Sequence, residues 1–187
     1  MTIHISNTSI DHFPSSLLFH SRKYLQVINL ENNLIDKLGN RDFYKLENVK
    51  YLNIGFNLIT VIRDRCFSSL IQLKYLYLND MSIAEIKDEA FIYIFALTLL
   101  DLHNNQLTSI NKKMFASAYS LQEIYLNNNK LIFVHKESFN MNVKLTSLVS
   151  NDASFCCNYQ KLISINCNDL NILQRCEPFL CSRAILY

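Results

Sequence analysis

Apolar and polar residues follow one pattern along most of the chain. The segments LQVINLENNLIDKL, VKYLNIGFNLITVI, LKYLYLNDMSIAEI, LTLLDLHNNQLTSI and LQEIYLNNNKLIFV align without gaps. They start at residues 25, 49, 73, 97 and 121, a constant step of 24. In each, apolar residues first alternate with polar ones, as a strand with one buried face requires. In the first segment Leu25, Ile28, Leu30, Ile35 and Leu38 point inward. Next comes a turn position, held by Asn33, Asn57, Asn105 and Asn129, with Met81 in the third segment. An Asn side chain there can bond backbone groups that the turn would otherwise orphan. Phe43, Phe67, Phe91, Phe115 and Phe139 recur at the same step. They predict an aromatic spine behind the strands.

Five copies of LxxLxLxxNxLxxL in unbroken register resemble the leucine-rich repeat. That resemblance implies an α/β solenoid, a horseshoe with a concave parallel sheet and a cysteine-rich C-terminal cap. About six repeats are expected within residues 1–150, the first and last irregular. TIHISNTSIDHF fits an early repeat, with Ile3, Ile5, Ile10 and Phe13 inward and Thr8 in the Asn slot. Its spacing to the next repeat is 25, from Ile3 to Ile28. LTSLVSNDASF opens a last repeat at Leu145, but Ser150 replaces Leu and Ala153 replaces Asn. Residues 151–187 are expected to cap the solenoid and lead toward a membrane domain beyond the chain. Solenoids need caps at both ends, and a partial repeat begins at Met1, so a piece of a longer protein is expected.

The third, fifth, seventh and eighth positions of each segment face out of the concave sheet. Read down those columns, Tyr51, Tyr75, Tyr77 and Tyr125 form a tyrosine-rich patch. Phe56 stands at its edge, and Asp101, His103 and Glu123 beside it. Tyrosine joins a large contact area to a polar tip and is enriched at protein interfaces. Aromatic residues also pair across strands for purely structural reasons. Contiguity over several repeats favours a protein or peptide ligand.

Composition narrows the rest. The 187 residues are 50% hydrophobic with a formal charge of +2, and no basic stripe suggests nucleic acid. Only 2 Gly leave nothing to build a phosphate-binding loop. His103 and Asp101 lack an accompanying nucleophile, so no enzyme is expected. No cofactor or metal is expected either. The apolar run AFIYIFALTLL is too short to span a membrane. It reads as the Phe of one repeat followed by the strand of the next. No signal peptide is expected at the start of the sequence, because patterned residues follow Met1 at once. Asn7-Thr8-Ser9 is a glycosylation sequon, which makes Asn7 the expected acceptor.

Cys66 reads as a buried thiol, whereas Cys156, Cys157, Cys167, Cys176 and Cys181 crowd the C-terminal tail. Zinc lacks a CxxC pair there. Disulfides in an oxidising compartment fit better, with connectivity open. The segment SLVSNDASFCCNYQKLISINCNDLNILQRCEPFLCSRAILY resembles the region that joins repeats to the first membrane helix in leucine-rich-repeat G-protein-coupled receptors. The nearest group is the relaxin-receptor-like branch, with its invertebrate members. Asp152, Phe155, Cys156, Cys157, Cys167, Cys176, Glu177, Leu180 and Arg183 lie on that pattern. Cys181 is extra, and Pro178 and Phe179 replace the usual acidic residue and leucine. The resemblance implies disulfides among Cys156, Cys157, Cys167 and Cys176, and a place on the extracellular side of the plasma membrane. It also implies a peptide hormone on the concave face and a G protein reached only through the membrane domain. Glu31, Asp101 and Glu123 are sparser than that family's acidic array. The alternative is a secreted or membrane-tethered adhesion protein without a signalling role.

Overall fold

The computed structural model describes residues 1–151 apart from residues 19 and 40, together with the strand Ile165–Asn166. Among the described residues twelve short strands follow one another. They are β1 Thr2–His4, β2 Val27–Asn29, β3 Tyr51–Asn53, β4 Val61–Ile62, β5 Tyr75–Tyr77 and β6 Glu85–Ile86. The rest are β7 Leu99–Asp101, β8 Ser109–Ile110, β9 Glu123–Tyr125, β10 Phe133–Val134, β11 Ser147–Val149 and β12 Ile165–Asn166. Eight of them make one parallel sheet in the order β1-β2-β3-β5-β7-β9-β11-β12. On the opposite wall β4 pairs with β6 and β8 with β10.

The 24-residue step is what sets this pairing. Ile28 lies opposite Leu52, then Leu76, Leu100, Ile124 and Leu148 follow in register, and all six are fully buried. The first rung is displaced by one residue, with Ile3 opposite Ile28, as its spacing of 25 requires. At the far end β12 extends the sheet into the segment expected to form the cap. Cys156, Cys157, Cys167 and Cys176 lie outside the described residues.

The convex return is made of turns, with one four-residue α-helix, Ser15–Leu18, and a 3-10 turn at Arg22–Tyr24 among the described residues. Its apolar residues stand three apart, and successive backbone bonds span the same distance. Leu46 N–H donates to Phe43 C=O, and Val49 N–H to Leu46 C=O, both at 3.1 Å. The same pair of bonds recurs from Phe67 through Leu70 to Leu73. A three-residue period suits tight turns rather than a 3.6-residue helix.

Behind the sheet the phenylalanine spine forms as its spacing predicts. Ring centroids are 5.5 Å apart for Phe43–Phe67, 5.9 Å for Phe67–Phe91 and for Phe91–Phe115, and 5.3 Å for Phe115–Phe139. Phe13 adds a further rung, 4.8 Å from Phe43. Cys66 sits beside this spine, buried, and burial pushes its thiol up to about 12.

The asparagine ladder does what the turn requires. Asn57 donates to Ile54 C=O and to Leu30 C=O in the preceding repeat, while its Oδ1 accepts the Ile35 N–H at 3.0 Å. Asn105 and Asn129 repeat all three bonds. Met81 breaks the series. In the same register it faces Ile59, whose N–H and C=O have no partner among the described residues, although Ile59 is fully buried. A thioether is at best a weak acceptor and donates nothing.

Candidate functional site

The concave columns bring most of the expected residues together. Tyr51 opens β3, Tyr75 opens β5 and Tyr77 closes it, so pairing sets Tyr51 beside Tyr75. Their ring centroids are 6.5 Å apart, and Tyr51 approaches Tyr77 diagonally at 5.2 Å. Tyr125, at the end of β9, shares a row with Tyr77 and Asp101. Asp101 separates it from the three clustered rings. The Tyr125 hydroxyl donates to Glu123 Oε2 at 3.0 Å. That bond is the main cause raising the Tyr125 phenol, whereas burial raises Tyr51 and Tyr77. All three hydroxyls keep their protons at neutral pH and can donate to a partner.

Part of the polar surface is committed to the fold. Asn29 accepts the Glu31 N–H at 3.0 Å, Asn53 the Gly55 N–H at 2.9 Å, and Asp101 the His103 N–H at 3.1 Å. An Asx side chain at the strand end thus fastens the turn two residues on. Asp101 is accordingly buried, 9% exposed. A Cβ at Gly55 would lie 2.6 Å from Asn79 Oδ1, so the Asn79 amide would have to turn aside to admit a side chain there.

His103 is held between two carboxylates. Its Nδ1 lies 2.6 Å from Asp101 Oδ1 and its Nε2 3.1 Å from Asp80 Oδ2. Asp80 also accepts from Asn79 at 2.8 Å and from Asn104 at 2.6 Å. Asp80 is not among the residues that the sequence singled out. The signal was present: Asp80 occupies the eighth column with Phe56, one step from Asn104.

That eighth column is a second ladder with its own geometry. Asn32, Phe56, Asp80, Asn104 and Asn128 all have φ between 52° and 57°, and Asn7 matches them at 56°. Asn32 donates to Asn7, Asn104 to Asp80, Asn128 to Asn104 and Asn151 to Asn128, at 2.6–2.7 Å. Asn and Asp tolerate the left-handed region. Phe56 is the exception in kind: it interrupts the ladder, and the left-handed conformation costs an ordinary residue roughly 1–2 kcal/mol. Phe56 is 45% exposed at the edge of the tyrosine patch. Asn7, the sequon residue, is exposed at the first rung.

From residue 27 to 128 the four concave columns contain no Lys or Arg. Two cavities, of about 450 and 260 Å³, lie near the N-terminal repeats, and neither is lined by a concave tyrosine. Tyr75 is 42% exposed, and Tyr51, Tyr77 and Tyr125 are partly exposed, so the face can meet an extended or folded partner.

Comparison with known proteins agrees with this architecture. Residues 36–155, more than half of the chain, match the family described as BspA type leucine rich repeat region (6 copies), and residues 1–59 match the leucine rich repeat family. The chain belongs to the leucine-rich-repeat family. Among solved structures it is similar to the crystal structure of a TLR13–ssRNA13 complex, with 26% identity and a TM-score of 0.54 over 71% of this chain. The chain spans only 22% of that structure's length. No curated protein matches its sequence.

Proposed function

We propose that the chain is the partner-binding part of an extracellular leucine-rich-repeat receptor, and that a protein or peptide docks on its concave tyrosine face. The observation that carries this is the convergence of Tyr51, Tyr75 and Tyr77, flanked by a Phe56 ring held outward at a backbone cost. Each rung adopts the left-handed conformation at this column and Asn adopts it at less cost, so the turn does not account for a Phe there. Asp80, Asp101, Glu123 and Glu31 give the face a negative character. The TLR13 structure is a complex with ssRNA13, but phosphates would be repelled here, which favours a protein. The tail resemblance points to the relaxin-receptor-like G-protein-coupled branch. In that reading the cysteine-rich cap, tied by Cys156, Cys157, Cys167 and Cys176, passes docking to a membrane domain, and Asn7 carries a glycan. Nothing in the face suggests catalysis.

The test is display of the chain on cells against a panel of secreted proteins and peptides. A partner held by the wild type and lost by Tyr75→Ala/Tyr77→Ala/Tyr125→Ala supports the reading. Undiminished binding by the triple variant, at equal surface display, overturns it. Phe56→Asn should raise Tm while weakening the same partner. The transcript beyond the codon for Tyr187 separates receptor from adhesion protein: seven apolar segments support the first, a single span or a stop codon the second.

A further inference from the structure

A different column of side chains stands exposed where the solenoid has no use for it. Two residues ahead of the inward Leu that precedes each concave strand come Ile71, Phe95, Tyr119 and Val143, at the 24-residue step. They are 47%, 46%, 44% and 85% exposed. Phe95 stacks on Tyr119 at 5.8 Å and meets Tyr93 edge-on at 6.1 Å. Tyr93 and Met141, both half-exposed, widen the stripe. The core directly beneath is already complete, since Leu70, Leu73, Leu97 and Leu121 are fully buried without it. A contiguous apolar stripe along one flank marks a contact surface.

The ends of the stripe carry opposite charges. Glu47 occupies the same column one step before Ile71, and Lys144 follows Val143. Both are exposed, and neither has an ion-pair partner in its own chain among the described residues. We infer that this flank is the contact between two copies of the chain, related by a two-fold axis through Phe95. Such an axis lays Phe95 on the partner's Phe95 and Tyr119 on the partner's Ile71. Because both copies have the same step, every rung meets a rung. The charged ends then meet as opposites, Glu47 with the partner's Lys144, twice per dimer. The contact is isologous and closes on itself. A stripe this narrow makes a reversible dimer rather than an obligate one. The concave faces lie off the contact, so the pair would offer two binding sites at once.

The experiment is sedimentation equilibrium on the purified, oxidised full chain, across low to high micromolar concentration. Concentration-dependent dimer is expected. Phe95→Lys should abolish it with Tm unchanged, because that side chain lies outside the core. Glu47→Lys should weaken the dimer about tenfold, and adding Lys144→Glu to the same chain should restore it. Oxidation should link Phe95→Cys chains to each other through that cysteine. Val143→Cys should link instead to Glu47→Cys when the two chains are mixed. A wild type that stays monomeric at high micromolar concentration overturns the inference, whether residues 152–187 or another protein covers the stripe. Failure of the charge reversal to restore the dimer overturns the two-fold arrangement.

Discussion

Phe67, Phe91 and Phe115 stack at 5.9 Å, and each neighbour along that column is another Phe. On the concave side Tyr77, Asp101 and Tyr125 share a row and differ from rung to rung, whereas Asn29 and Asn53 earlier in the same row repeat. Both rows run on the same 24-residue step. The buried one repeats a single residue because each ring must fill the same space against the rings above and below. The concave one is constrained only where Asn29, Asn53 and Asp101 hold turns, so its other residues can differ and give the surface a particular chemistry. Stability should therefore reside in the repeated columns and recognition in the varied ones.

The strongest challenge to that division is Phe91→Ala. It empties the middle of the spine and should cost about 3–5 kcal/mol in denaturant unfolding. A loss below 1 kcal/mol on that scale would mean that the spine is not the main store of stability.

Next comes alkaline pH. Cys66 is raised from its ordinary 9.0 to about 12 by burial. Below pH 9 the thiol keeps its proton in both states and its contribution is intact. Above that the unfolded chain ionises first, so stability falls with rising pH until the folded thiol also ionises near 12. At pH 10 this group alone should remove about 1.4 kcal/mol. Cys66→Ala should flatten that fall, measured as the difference in unfolding free energy between pH 7 and pH 10.

A smaller effect comes from the one ladder position that breaks the repeat. Met81→Asn restores an acceptor for the buried Ile59 N–H and donors for Leu78 and Ile54 C=O. It should stabilise by about 1 kcal/mol, and a clear drop in Tm would contradict the ladder account. Smallest of all is Tyr75→Ala, on a half-exposed ring. Its effect on stability should stay within about 0.5 kcal/mol, and a loss several times larger would make the tyrosines a structural stack instead of a binding face.

The five regular repeats were legible because a constant step brings residue i beside i + 24 in a parallel sheet. The spine, the asparagine ladder and the membership of the concave face follow from that alone. The positive φ of Phe56 was not legible. A bulky residue gives no local signal for the left-handed region, and only its place among Asn32, Asp80 and Asn104 reveals it. Asp80 was missed for a related reason. It looks like a turn residue, and its contact with His103 depends on side-chain direction across a rung.

The sequence by itself determined the period, the inward and outward columns, and the weak turn at Met81, because each follows from counting residues against a fixed geometry. Only the tertiary structure decided that three tyrosine rings meet while Tyr125 stands apart, that Asp101 is spent on its own turn, and that the convex wall, among the described residues, is turns with scarcely any helix. Those outcomes depend on distances between side chains, and on which backbone groups find partners once neighbouring repeats have closed on one another.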